Sequence, residues 1–136
     1  MDFLRSMVIA ASGLRAQAGR MRIIAENIAN ADSTSPTAGA DPYRRKIVTF
    51  RSEMDRAIDA QVVALGRVKT DPSDFRIKHE PGHPAADANG NVKYPNVNSL
   101  IEMTDLREAQ RSYEANINVI SASRRMIQRT IEILKS

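Results

Sequence analysis

One string in this sequence has the spacing of a metal site. His79-Glu80-Pro81-Gly82-His83 sets two imidazoles four residues apart, with a carboxylate after the first. On a helix that pattern binds zinc, because both His share one face and the Glu can act as general base. Pro81, Gly82 and Pro84 interrupt it here. Proline inside a helix removes a hydrogen bond and clashes with the preceding turn. The string therefore reads as a rigid, proline-rich turn, and no metal is expected there.

The remaining chemistry is sparse. The chain has no Cys and only two His, both in that turn. Nucleophilic catalysis thus lacks its usual thiol and its usual base, and disulfides and Cys-based metal sites are excluded. Gly82 and Gly90 are isolated, so no Gly-rich phosphate loop is present. Glu53/Asp55 and Asp71/Asp74 read as surface carboxylates. Arg44-Arg45-Lys46 and Arg124-Arg125 are the densest basic clusters, without the interleaved aromatics of a nucleic-acid module. The net charge of +4 comes from 20 basic and 16 acidic residues spread over mixed faces. These features point away from an enzyme. No catalytic residue, metal or cofactor is expected, and neither nucleic acid nor a small-molecule substrate.

The elements that could position function lie at the two ends. Leu4, Met7, Ala11, Leu14, Ala18, Met21, Ala25 and Ile28 alternate spacings of three and four. That is an a/d series, and it predicts a helix with a coiled-coil-like seam. Gly13 and Gly19 weaken the helix by about 1 kcal/mol each relative to Ala, but permit close approach of a partner. Asn30 to Pro36 ends it with turn residues.

Met103, Leu106, Gln110, Tyr113, Ile117, Ile120, Arg124, Ile127, Ile131 and Leu134 repeat the pattern at the other end. Gln110 and Arg124 interrupt this second seam, as polar residues that set register do. Ser99 with Glu102 fits a capping box at its start. From Leu100 to Ser136 such a helix runs about 55 Å. An amphipathic helix lying on a membrane, with Arg5, Arg15, Arg20 and Arg22 at the headgroups, is the alternative for the first segment. The strict heptads and small Ala knobs favour a helix partner. The start also mimics a signal peptide, through Arg5, the run Met7–Ala11 and Ala16-Gln17-Ala18. Asp2, Ser12-Gly13 and the helical pattern continuing past the supposed cleavage site argue against one.

The expected fold is mainly α with a small β element: two terminal helices pairing as a coiled-coil-like hairpin around a short, loop-rich middle. Three segments follow: 1–32 and 99–136 as helices of the coiled-coil core, and 33–98 as the centre. In the centre Lys46–Phe50 reads as a strand, and Glu53–Ala64 as weakly helical or extended. Gly66–Thr70 and Phe75–Lys78 read as half-buried strands. Asp87–Gly90 reads as a turn into Asn91–Tyr94. Two such helices alone leave much of both stripes exposed, so an isolated chain is expected to be partly disordered and to order on assembly.

At this point the residues resemble a known family. Ala25-Glu26-Asn27-Ile28-Ala29-Asn30-Ala31-Asp32-Ser33 looks like the Asn-rich signature of the bacterial flagellar rod and hook axial proteins. The stretch Glu102 to Asn116, ending Tyr113-Glu114-Ala115-Asn116, looks like the matching C-terminal signature. Pro42-Tyr43-Arg44-Arg45-Lys46, Pro81-Gly82-His83-Pro84 and Tyr94-Pro95-Asn96-Val97-Asn98 resemble the proximal-rod branch. Residues 51–74 are the least characteristic.

The resemblance implies a structural subunit of the basal-body rod in the periplasm, exported by the flagellar secretion apparatus without a cleaved signal peptide. It implies helical assembly with itself, with other proximal rod proteins, with the rod–ring junction protein and with distal rod proteins. It also implies torque transfer to hook and filament. The expected assembly interface comprises Leu4, Met7, Leu14, Met21, Ile28, Tyr113, Ile117, Ile120, Ile127, Ile131 and Leu134. We expect Leu14, Met21 and Ile28 to face residues drawn from Tyr113, Ile117, Ile120, Ile127 and Ile131.

Overall fold

A computed structural model describes residues 2–136. Two long helices bracket the chain: α1 (Phe3–Ala29) and α2 (Ser99–Lys135). Between them lie six short strands: β1 (Lys46–Ile47), β2 (Phe50–Asp55), β3 (Ala60–Leu65), β4 (Lys69–Thr70), β5 (Arg76–His79) and β6 (Asn91–Tyr94). They form three separate two-stranded antiparallel sheets, β1–β4, β2–β3 and β5–β6. The helices pack together and run antiparallel, since Gly13 meets Asn116 while Arg20 meets Glu108 further down the chain.

The chain condenses into two compact units. The first joins residues 1–21, 49–67 and 107–136; the second joins 22–48 and 68–106. The first unit is therefore the N-terminal part of α1, the β2–β3 hairpin and the C-terminal part of α2. The second holds the end of α1, β1–β4, β5–β6 and the start of α2. Each unit draws on both helices and on the centre.

Several central elements differ from the sequence expectation. Lys46–Phe50 is not one strand: Ile47 pairs with Lys69 while Phe50 pairs with Leu65, so the chain changes partner at Val48-Thr49. Glu53–Ala64, by contrast, takes the extended one of its two expected forms, making most of a six-pair hairpin. Its tight turn is set by Asp55, whose Oδ1 accepts from Ala57 N, and by Asp59 at φ +50°. Asp is one of the few non-Gly residues that tolerates this left-handed region. A weak helical period could not compete with that turn chemistry and with cross-strand pairing. Of Gly66–Thr70 only Lys69–Thr70 is strand, and β5 is exposed on both faces rather than half-buried.

The turn at Asp87–Gly90 forms as expected. Asp87 Oδ1 accepts from Asn89 N and Asn91 N, and Gly90 sits at φ +78°. It delivers β6, whose residues alternate half-buried and buried. Val92 and Tyr94 of β6 pack with Ala85 into the small core of the second unit.

The start of α2 also differs. Asn98, not Ser99, caps it: Asn98 Oδ1 accepts from Leu100 N at 3.1 Å, and its carbonyl accepts from Glu102 N. An N-cap oxygen satisfies one of the orphan donors of a helix start. Glu102 is thereby free for another task and lies 1% exposed. Among the described residues no helix is long and apolar enough to cross a membrane.

Candidate assembly surface

The apolar seam of α1 is not the face this chain buries against itself. The buried positions are Ala10, Ser12, Ala16, Gly19, Ile24 and Asn27. Most of these are small, and they lie on a neighbouring stripe of the same helix. Small residues win because they let other backbones approach. A Cβ on Gly19 would overlap Leu65 Cδ1 of the hairpin. A Cβ on Gly13 would sit 2.8 Å from Asn116 Nδ2 on α2. Ser12 adds a polar pin, its Oγ accepting from Val63 N on β3 at 3.1 Å. The same hydroxyl donates to Ile9 O, so it is used twice.

The large apolar residues of the seams are left over. Met7, Leu14, Met21, Ile28, Tyr113, Ile120 and Ile127 are half-buried; Leu4, Ile117, Ile131 and Leu134 are exposed. None of these eleven expected interface residues is buried. Leu134 remains 79% exposed and Leu4 63%. Fully burying such a side chain is worth about 1.5–3 kcal/mol, so the surface has a large unrealised driving force for association. Exposed Phe50, Met54 and Val63 on the hairpin add to the apolar surface of the first unit.

The stagger of the helices explains where exposure is greatest. Gly13 stands opposite Asn116, so moving ten residues along each antiparallel helix brings Phe3 level with Met126. Every residue from Gln128 to Ser136 is exposed. The last turns of α2 thus reach past the level where α1 begins.

The second unit is organised by a polar clasp. Asn27 on α1 uses its whole side-chain amide. Its Oδ1 accepts from Tyr43 Oη at 2.7 Å and from Lys46 N at 2.9 Å. Its Nδ2 donates to Lys46 O at 2.8 Å and lies 3.4 Å from Glu102 Oε2. The amide therefore bonds both backbone groups of Lys46, as a neighbouring strand would. Glu102 on α2 accepts a charge-assisted hydrogen bond from Arg45 Nε. Arg45 also reaches Asp71 at 3.1 Å and Asp105 at 4.0 Å. Asn96 accepts from Arg45 N and donates to Asp71 O and Ser73 O. Lys46 pairs with Glu26 at 2.5 Å.

The electrostatics follow from this geometry. Burial, and then the Glu26 and Glu102 carboxylates, push the Tyr43 phenol up to about 12. Burial opposes the Arg45 charge, but the bonds to Glu102 and Asp71 outweigh it and raise its pKa. Asp71 is lowered, first by the Ser73 N–H it accepts and then by the Ser73 side chain, with Arg45 adding to this against burial. A buried carboxylate is tolerated only when paired and hydrogen-bonded, and Glu102 meets that condition.

Sequence reasoning missed this clasp. In sequence Glu102 reads as a capping residue, Asn27 and Tyr43 as signature residues, Arg45 as part of a basic cluster as well, and Asp71 as a surface carboxylate rather than the Arg45 partner it is. The one available signal was a carboxylate facing the helix side that carries Ala109 and Tyr113, where nothing nearby in sequence could neutralise it. Gly13–Asn116, Arg20–Glu108 and Asn27–Glu102 are among the contacts between the two helices.

His79 ends β5, and the rest of the string, through Pro81-Gly82-His83, is the turn its prolines require. His83 N donates to Glu80 O, Ala85 N donates to His83 Nδ1, and His79 Nδ1 lies 3.2 Å from Asn91 Oδ1. Glu80 accepts from Tyr94 Oη, a bond that raises the tyrosine pKa. Among the described residues no group of three His, Cys, Asp or Glu could hold a metal ion.

The main features are exposed apolar residues on both helices and a stripe of small buried residues on α1. Two family models place the chain among flagellar axial proteins. The one described as "Flagella basal body rod protein" matches residues 7–35, and "Flagellar basal body rod FlgEFG protein C-terminal" matches residues 88–133. The flagellar basal-body rod protein FlgC of Agrobacterium fabrum is 55% identical over 128 residues, covering 94% of this chain and 92% of the relative. FlgC of Salmonella typhimurium is 38% identical over 133 residues, covering 98% of each. FlgC of Bacillus subtilis is 35% identical over 150 residues, covering 99% of this chain and 100% of the relative. This chain belongs to the flagellar basal-body rod protein FlgC family.

Proposed function

We propose that this chain is a structural subunit of the proximal rod of the bacterial flagellar basal body, and that it is required for motility. It is not an enzyme. The observation that carries this reading is the set of large apolar residues on both helices that the chain itself leaves unburied.

In this reading segments 1–32 and 99–136 are the helices of a coiled-coil-like core, and 33–98 is the region between them. Their seams engage neighbouring subunits. Heterologous contacts that do not close generate an open helical array, here a tube across the periplasm. Shear between subunits is then resisted by many apolar contacts, which suits a shaft passing motor torque to hook and filament. The partners are other copies, other proximal rod proteins, the rod–ring junction protein and distal rod proteins. The flagellar export apparatus handles the chain during secretion. No cofactor, nucleic acid or small-molecule substrate takes part.

Ile120→Asp tests the reading, because a carboxylate in an apolar contact loses its hydration without gaining a partner. The variant should be synthesised and exported at normal levels, yet be absent from purified basal bodies and abolish swimming. Normal swimming would overturn the assignment of this face.

A further inference from the structure

The exposed end of α2 is not uniformly apolar. Arg124 lies between Ile117 and Ile131 at heptad spacing, so all three share one face of the helix. Ser121 and Gln128 repeat alongside, and with Arg124 and Arg125 they line a shallow cleft of about 240 Å³. Ile117, Arg124, Arg125, Gln128 and Ile131 are all exposed.

These two arginines are unpaired. Among the described residues no carboxylate lies within 4.0 Å of either, whereas Arg20 reaches Glu108 at 3.6 Å. Their own helix offers none: positions three and four residues away from Arg124 and Arg125 hold no Asp or Glu. Arg111, on the same helix, has Glu108 and Glu114 three residues to either side. Residues 124–136 carry four basic side chains against Glu132 alone.

We propose that this stripe docks a helix of a different rod protein, not another copy of this chain, whose own apolar face carries an Asp or Glu level with Arg124. The inference rests on the rod-subunit reading and specifies the partner's chemistry. Docking on Ile117 and Ile131 removes water from the guanidinium between them. Burying that charge without a counter-ion is strongly unfavourable, and a carboxylate at the same level relieves it through a bidentate pair. The apolar residues thus supply attraction, while Arg124 rejects helices that lack the acid. Arg124 is a specificity residue for assembly, and its long stem still covers apolar surface.

The test replaces the chromosomal copy in a motile strain. Arg124→Glu should abolish swarm expansion, and Arg124→Gln should slow it. Motile revertants of Arg124→Glu should carry an Asp or Glu changed to Lys, Arg or a neutral residue on a helix of another rod chain. Wild-type swarming by Arg124→Glu would overturn the proposal, as would revertants confined to this chain. Ile131→Asp serves as the control: if it stops swarming while Arg124→Glu does not, the rod reading stands and this inference fails. If both swarm normally, both fail. A benzophenone side chain placed at Gln128 gives a readout independent of variant folding. Its cross-link in basal bodies should fall on a helical peptide with a carboxylate between apolar residues. A cross-link to lipid, or to a peptide without a carboxylate, would overturn the proposal.

Discussion

The two compact units of this chain solve the burial problem in opposite ways. The second unit hides polar groups and satisfies them. Asn27 makes four contacts, Glu102 meets Arg45 and Asn27, and a small core forms around Val92 and Tyr94. The first unit hides mainly small residues (Ala10, Ser12, Ala16, Gly19) and leaves large apolar ones in water. The second unit satisfies its buried polar groups, although it too leaves Ile77, Leu100, Ile101 and Met103 exposed. The first unit has little buried side-chain bulk beyond small residues, and the proposed rod contacts would cover its exposed apolar residues. The difference shows that the hydrophobic periodicity of the helices does not mark the stripe that the chain buries against itself.

Substitutions on each side of this contrast should behave differently. The largest effect belongs to Ile120→Asp, which should eliminate incorporation into the rod altogether. Glu102→Ala comes next and acts on the isolated chain. Breaking a buried pair leaves Arg45 and Asn27 under-satisfied, and since Arg45 retains Asp71 the loss should be about 3 kcal/mol. Urea denaturation of the purified chain measures it, and a loss below ~1 kcal/mol would mean that the clasp does not hold the second unit.

Gly19→Ala should follow at about 1–2 kcal/mol, because the new methyl group overlaps Leu65 and overpacked contacts must shift. Leu65→Ala in the same chain should recover part of that loss, a coupling that a double-mutant cycle reads directly. Two independent, additive losses would show that the hairpin does not rest on Gly19.

The smallest effects are those of pH, and they belong to the second unit. Asp71 has a lowered folded pKa, so its contribution is present above its ordinary value of 3.8 and is lost as pH falls through the folded value. Tyr43 has a raised one. Its contribution is complete below 10.0 and is lost as pH rises toward about 12. Tyr43→Phe should reduce the alkaline loss, the remainder belonging to Tyr94, as followed by helix content against pH. An unchanged alkaline profile would separate that loss from Tyr43.

Much of this was legible in the residues. The heptads gave both helices, Asp87-Ala88-Asn89-Gly90 gave its turn, and Pro81 and Pro84 marked the turn after β5. The Asn-rich and Tyr-Glu-Ala-Asn signatures pointed to the family that the relatives then showed. The β2–β3 hairpin was only half legible because β2 mixes apolar and charged residues without clean alternation, while β3 is a short apolar run broken only by Gln61. The clasp was hidden for a different reason. Asn27, Arg45, Asp71 and Glu102 are far apart in sequence, and local patterns carry no information about which distant charge a side chain will meet. The buried stripe of α1 escaped notice because small residues have little hydrophobic signal, although they set how closely the packed elements approach.

The central claim is that the first unit is finished only by assembly. Hydrogen exchange of the purified chain, compared with the same chain in isolated basal bodies, tests it most directly. Local opening in regions with few buried contacts lets amides exchange quickly. In the isolated chain the amides of α2 beyond Arg107 and of α1 before Met21 should exchange rapidly, while those around Asn27, Val92 and Glu102 are protected. In the rod both sets should be protected. Strong protection of the α2 end in the isolated chain, or its continued rapid exchange in the rod, would contradict the account.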